Sequence, residues 1–369
     1  MGADASKGAR PTSGAGGGSA RLREAGGSLA LDTARLGEYL AARLPELRLP
    51  LQVSLFEGGQ SNPTYLLGDA GGRRWVLRRK PPGRLLPSAH AVDREYRVMS
   101  ALAGSEVPVP RMRLLCTDES VIGTMFYVMD WVEGRIFFDP RLPGARPGAR
   151  AELFDAMNRS IAALHRVDPA AVGLGDYGKP GRYVVRQIER WSQQYRASQT
   201  EPLEAMEHLM QWLPEHVPEG DEVAVVHGDF RMDNLIFHPV EPRVLAVLDW
   251  ELSTLGHPLA DFAYHCMAWR LGPGQFRGMA GEDLAALGIP SEAEYVAAYC
   301  ARTGRARVGP EDWEFFLAFN MFRLAAILQG VLARALQGNA ASAQALEAGS
   351  RARPLAEAAW AQVQRIGAR

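Results

Sequence analysis

Three short apolar runs in the second half of this sequence each lead to a group able to bind or move charge. The run 223–226 stops at His227-Gly228-Asp229. After four more residues comes Asn234, followed by Leu235-Ile236, and the run 244–248 stops at Asp249-Trp250-Glu251. A hairpin between the flanking strands would bring Asp229, Asn234 and Asp249 together. Phosphoryl transfer needs such a set. Mg²⁺ is a hard cation that prefers oxygen, and an asparagine oxygen with one carboxylate holds it against nucleotide phosphates. A second carboxylate, outside the coordination sphere, orients a substrate hydroxyl and takes its proton. Gly-Asp and Asp-Asn pairs also form ordinary turns. The spacing from Asp229 to Asn234, followed by a strand ending in Asp249, sets this run apart from a plain turn.

The elements that must position these groups follow from hydrophobic period and breakers. Residues 1–29 are rich in Gly, Ser and Ala and read as a disordered tail. Leu36, Leu40 and Leu44 predict a helix. Apolar runs at 53–55, 65–67 and 75–77, parted by Gly58-Gly59 and by residues 68–72, predict an antiparallel meander. A helix from about 88 to 103 ends before Val107-Pro-Val-Pro110, and strands are expected near Leu114 and over 126–132. Beyond Gly134 helical patterns dominate, at about 149–167, 182–198, 203–213, 291–302 and 312–336, interrupted by a β-rich insert at 223–248. The expected domains are a β-rich N-lobe over 30–132 and a mainly helical C-lobe over 133–369.

HGDFRMDN followed by VLDWE resembles the catalytic and metal-binding motifs of aminoglycoside phosphotransferase-like small-molecule kinases, which share the protein-kinase fold. The resemblance runs from about Leu51 to Arg334. The stretch LRRKPPG…LLPSAHAVDREYRVMSAL is similar to the kinase-like N-terminal region of certain acyl-CoA dehydrogenases. The resemblance implies a bilobal α+β fold, ATP as phosphoryl donor and Mg²⁺ as cofactor. It implies Asp229 as catalytic base, Asn234 and Asp249 as metal ligands, and His227 as a support of the catalytic loop. Asp261 matches an aspartate that buttresses that loop.

On the nucleotide side, period-two alternation puts Val76, Arg78 and Lys80 on one face of a strand. The resemblance places Arg78 where kinases carry a phosphate-binding lysine, and Lys80 competes for the same role. Glu95 shares a helix face with Val92, Met99 and Leu102, where an unpaired carboxylate is costly. It requires a cation, and the kinase pattern supplies Arg78. Gly58 and Gly59 lie where backbone would cover the phosphates, or in a simple hairpin turn. The strand 127–132, with Met129 and Val132, reads both as a hinge that meets adenine and as a core strand. The G-x-x-x-x-G-K spacing at 173–179 is no P-loop, because Pro180 replaces the required Ser or Thr and no apolar strand precedes it.

The remaining composition narrows the function further. Of 369 residues 47% are hydrophobic, and the formal net charge is −1, which favours no nucleic-acid or membrane partner. No apolar run approaches the roughly 20 residues that cross a bilayer. Cys116, Cys266 and Cys300 are scattered, which fits buried thiols in a reducing cytoplasm rather than a disulfide or zinc site. His257 and His265 lack an obvious third ligand and read as packing or capping residues. The aromatic stripe from Trp313 to Phe322 reads as core with a share in the acceptor site. The region 258–330 is mixed in charge, with Arg270, Arg277, Arg302 and Arg323. That fits a neutral or anionic hydroxylated acceptor, such as a hydroxyacyl-CoA, better than a polycation. The rivals are an aminoglycoside or other amino-alcohol kinase and a nucleotide-binding pseudokinase scaffold. Protein kinase activity is disfavoured, because no DFG or APE-like segment is present.

Overall fold

The computed structural model describes residues 21–57, 62–82, 90–337 and 345–367. Its first part is a six-stranded antiparallel sheet. The strands are β1 (Leu22–Arg23), β2 (Gln52–Phe56), β3 (Thr64–Gly68), β4 (Arg74–Arg79), β5 (Met112–Cys116) and β6 (Phe126–Asp130), in the order β1-β2-β3-β4-β6-β5. Strand parity divides their side chains between two cores. Tyr65, Leu67, Trp75, Leu77 and Val128 pack on Leu36 and Leu40 of helix α1 (Thr33–Ala41). Val76, Tyr127 and Met129 face the other way, toward α2 (Val92–Leu102) and the main core. The Asp32 carboxylate caps α1 by accepting from the Arg35 amide.

The rest of the chain is mainly helical: α3 (Pro147–Arg166), α4 (Tyr183–Ser198) and α5 (Glu204–Glu215) come first. Two small antiparallel pairs follow, β8 (Leu235–Phe237) with β9 (Val244–Val247), and β7 (Ala224–Val226) with β10 (Thr254–Gly256). Then come α6 (Pro258–Cys266), the short α7 (Pro273–Phe276) and α8 (Leu284–Leu287), α9 (Glu292–Thr303), α10 (Pro310–Leu336), α11 (Ala345–Ser350) and α12 (Ala352–Gly367). Helix α10 is the spine of this half, with Phe315, Phe316, Phe319 and Phe322 all buried.

The architecture is the α+β, bilobal kinase-like fold, and several local expectations need correction. Residues 21–29 are not a structureless tail: Leu22 and Arg23 pair with Phe56 and Leu55, and Leu29 O accepts from the Tyr65 hydroxyl at 2.8 Å. Residues 1–20 lie outside the described residues. Arg79, beside Arg78, is buried, with its guanidinium on Tyr65 Oη and Ser28 O, each at 3.0 Å. Helix α10 is long and apolar enough to cross a membrane, but it is largely buried inside the fold. The aromatic stripe is wholly core, with Trp313 against Phe262 and Phe316 against His257. Helix α6 escapes the periodicity reading because all nine of its residues are buried, which leaves no polar face to reveal a period.

Candidate active site

Strand β7 delivers the run His227 to Asn234 to a buried carboxylate. Asp261, in the first turn of α6, accepts the His227 amide at 2.8 Å on Oδ2 and the Gly228 amide at 2.7 Å on Oδ1. His165 of α3 approaches the same Oδ2 at 3.1 Å. Burial alone would raise the Asp261 pKa. The hydrogen bonds from His165 and the His227 amide outweigh it and hold the carboxyl below its usual range. Gly228 turns the loop with a φ of 81°, and a Cβ there would lie 2.7 Å from Leu252 O. His227 is fully buried, donating from Nε2 to Leu248 O at 2.9 Å and accepting the Asp229 amide on Nδ1 at 3.2 Å. Its ring thus joins the loop to the end of β9.

Asp229 emerges from this frame with both carboxylate oxygens engaged. The Tyr264 hydroxyl donates to Oδ1 at 2.6 Å, and Arg231 Nε lies 3.2 Å from the same oxygen. Asn234 Nδ2 donates to Oδ2 at 3.1 Å and to the Asp229 main-chain oxygen at 2.9 Å. The β8–β9 register sets Leu235 opposite Val247, and the Leu248 amide donates to Asn234 O at 2.8 Å. Asn234 thereby faces Leu248, the residue before Asp249, at the end of a two-stranded ladder. Asp249 adopts a left-handed conformation, φ 66°, which is uncommon outside glycine and turns the chain out of β9.

Arg78 of β4 reaches Asp249 Oδ1 at 2.8 Å, Glu95 Oε2 at 3.1 Å and Glu251 at 3.7 Å. Glu95 is 1% exposed and also accepts Asn62 Nδ2 at 2.8 Å and the Tyr127 hydroxyl at 3.0 Å. Burial pushes the Glu95 carboxyl up to about 7, while Arg78 pulls in the opposite direction. Lys80 has no part in this cluster: its amide donates to Met125 O beyond the end of β4. Beside Arg78 and Asp249 opens a cleft of ≈ 560 Å³ lined by Val76, Met129, Val132, Ile236 and Leu248 among others. Its size suits a nucleotide. Met129 and Val132 therefore share one cleft with Arg78 and Asp249. Gly58 and Gly59 lie outside the described residues.

The donor set fits Mg²⁺. Asn234 spends its amide hydrogens on Asp229, which leaves Oδ1 as its donor to a cation, and Asp249 Oδ2 remains beside the Oδ1 held by Arg78. An amide oxygen and a carboxylate are hard ligands, and nucleotide phosphates and water complete such a shell. Among the described residues no cluster of three His, Cys, Asp or Glu forms a further metal site. His265 instead meets the Tyr295 hydroxyl at 2.8 Å, and His257 accepts the Leu259 amide, capping α6. Burial lowers the pKa of both histidines to about 4.

The arginines of 258–330 are more heavily paired than their sequence suggests. Arg270 joins Glu292 and Glu314, Arg302 joins Asp155 and Asn158, and Arg323 is buried and donates to Gly228 O at 2.6 Å. Arg277, paired with Asp233, lines the ground near Asp229. Tyr264, Asn62 and Tyr127 are among the contributors that escape the sequence reading. Tyr264 carried a signal, since it lies three residues after Asp261 on one helix and so on a neighbouring face.

The phosphotransferase enzyme family matches residues 52–316. The chain is 50% identical over 314 residues to acyl-CoA dehydrogenase family member 10 of Mus musculus. That match takes in 84% of this chain and 29% of the mouse protein, so the chain spans well under half of that relative's length. A solved Ralstonia eutropha JMP134 structure with a provisional aminoglycoside phosphotransferase label is 55% identical, with a TM-score of 0.84, covering 91% of this chain and 99% of that one. A thermostable aminoglycoside phosphotransferase mutant, solved as a ternary complex with AMP-PNP and hygromycin B, shares the fold at 15% identity. Its TM-score is 0.56, covering 88% of this chain and 98% of that one.

Proposed function

Because the chain belongs to the phosphotransferase enzyme family, we propose that it transfers the γ-phosphoryl group of ATP to a hydroxyl of a small molecule, with hydroxyacyl-CoA thioesters as the acceptor class. The observation that carries this reading is the meeting of Asp229, Asn234 and Asp249 beside a nucleotide-sized cleft that also holds Arg78. On this reading residues 30–132 bind the nucleotide, and residues 133–369 carry the catalytic groups and the acceptor.

Asp229 holds the acceptor hydroxyl and takes its proton as the new oxygen–phosphorus bond forms and the bond to the ADP oxygen breaks. Tyr264 and Asn234 fix the carboxylate for that task from its two sides. Asn234 and Asp249 are the residues that would hold Mg²⁺, and the ion, when bound, neutralises charge on the phosphate oxygens. Arg78 stabilises the same phosphates, oriented by Glu95. The backbone around Met129 and Val132 meets the base.

Two observations support the acceptor class. The mouse relative is an acyl-CoA dehydrogenase family member. The ground beside Asp229 is walled mainly by apolar side chains, and the acids there are already paired. An aminoglycoside, a polycation, needs unpaired carboxylates. The test is turnover by the purified protein with ATP and Mg²⁺ across kanamycin, hygromycin B and a set of hydroxyacyl-CoA thioesters, read by ADP release and product mass. Phosphorylated thioesters are expected. Turnover of kanamycin with none of any thioester would sink the acceptor class. ATP binding without turnover on any alcohol would leave a nucleotide-binding scaffold.

A further inference from the structure

A cavity of ≈ 50 Å³ lies against Tyr264 and Arg231. Both residues also contact Asp229 Oδ1, which places the cavity one side chain away from the catalytic carboxylate. Phe154 and Met157 of α3, Trp269 after α6, and Phe276 at the end of α7 supply its apolar wall. Its charged groups form ion pairs with one another: Asp233 lies 3.5 Å from Arg231 Nε and pairs with Arg277. That second pair ties the end of α7 to the catalytic loop and fixes the position of Phe276. Arg277 adopts a left-handed conformation, φ 46°, to end α7 there.

A sugar ring placed in this cavity would set its hydroxyls against hydrocarbon, at the cost of unpaired polar groups. An alkyl group meets no such penalty. On this volume measure one water-sized group takes roughly 10–15 Å³, so the space suits about three to five such groups. We propose that this cavity receives the alkyl substituent on the hydroxyl-bearing carbon of the acceptor and limits it to a few carbons, with Phe276 as the residue that sets the limit. The inference rests on the acceptor class proposed above and adds a length rule to it.

The experiment uses the full chain and CoA thioesters with the hydroxyl at one fixed carbon, bearing methyl, propyl or octyl beyond it. Methyl and propyl compounds should turn over, with kcat/KM for octyl lower by at least about tenfold, the discrimination that hydrophobic pockets reach for small size differences. Phe276→Ala should raise kcat/KM for octyl relative to methyl about tenfold, and Phe276→Trp should favour methyl over propyl. Phe276 is only half-buried, and a thermal melt confirms that each variant is folded. Equal turnover of all three thioesters, or unaltered selectivity in both folded variants, overturns the length rule and leaves the acceptor class standing. No turnover of any thioester, with turnover of a different alcohol, overturns the acceptor class and the rule with it.

Discussion

The Arg78 guanidinium donates to Asp249 Oδ1 at 2.8 Å, joining residues 171 positions apart in the chain. The same guanidinium offsets the buried Glu95 carboxylate at 3.1 Å. Arg78→Ala should therefore damage both stability and ligand binding. At pH 8, where Glu95 is charged, loss of its partner should cost about 3–5 kcal/mol in urea unfolding, the usual penalty for stranding half of a buried pair. Calorimetric titration with an ATP analogue should show weakened binding. Arg78→Lys should recover part of the stability. An alanine variant as stable as wild type would contradict the pairing.

The two aspartates should separate by what they impair. Asp229→Asn should bind ATP normally and lose turnover by about 10²–10⁴, the range for a general base. Asp249→Ala should instead weaken Mg²⁺-dependent nucleotide binding. Steady-state rates and nucleotide titrations with and without Mg²⁺ distinguish the two, and near-normal turnover by Asp229→Asn would refute its role.

Tyr264→Phe removes one donor to the Asp229 carboxylate and leaves Arg231 and Asn234 in place. A hydrogen bond to a charged group contributes ~1.5–3 kcal/mol. Turnover should fall by about tenfold or more while KM for ATP holds steady. An equal loss in ATP affinity would point to general disruption instead.

Glu95 should leave a mark on the pH dependence of stability. Burial raises its carboxyl from 4.5 to about 7. The folded state then binds more protons than the unfolded state, so the stability this group contributes declines as pH climbs through that interval and is flat above it. Glu95→Gln abolishes the titration. Relative to wild type, the variant should gain stability steadily across the interval in urea unfolding at successive pH values. Parallel curves would show that Glu95 titrates normally.

Asp261→Ala should be the most destabilising of these changes outside the cleft. It strands the His227 and Gly228 amides and deprives His165 of its partner, all in buried surroundings. A loss of roughly 3–5 kcal/mol is expected. Asp261→Asn should retain one acceptor and lose less. A thermal melt of each variant against wild type checks the order.

How much of this can be read from sequence differs by residue. The hairpin holding Asn234 and Asp249 is legible, because apolar runs end abruptly at polar groups on both sides. Glu95 is legible as well, since a carboxylate on an apolar helix face demands a cation. Asn62, Tyr127 and Tyr264 are not, because a neutral side chain signals no unmet charge and gains its meaning only from what it touches. Arg323 illustrates a different gap. Sequence counts it among the charges suited to an anionic acceptor, but it is buried and donates to a main-chain oxygen of Gly228, which no pattern of side chains reveals. Helix α6 is hidden for the opposite reason, having no exposed face.

The Leu248 amide bonded to Asn234 O makes the separation of Asn234 and Asp249 a matter of strand register. Shifting one strand by a single residue would turn one ligand to the opposite face. The connecting turn at 238–243 is tied separately, by the Arg135 guanidinium donating to His238 O at 2.9 Å and Glu241 O at 3.2 Å. Over evolutionary time the lengths of β8 and β9 should therefore stay fixed, so the hairpin acts as a ruler between the two ligands.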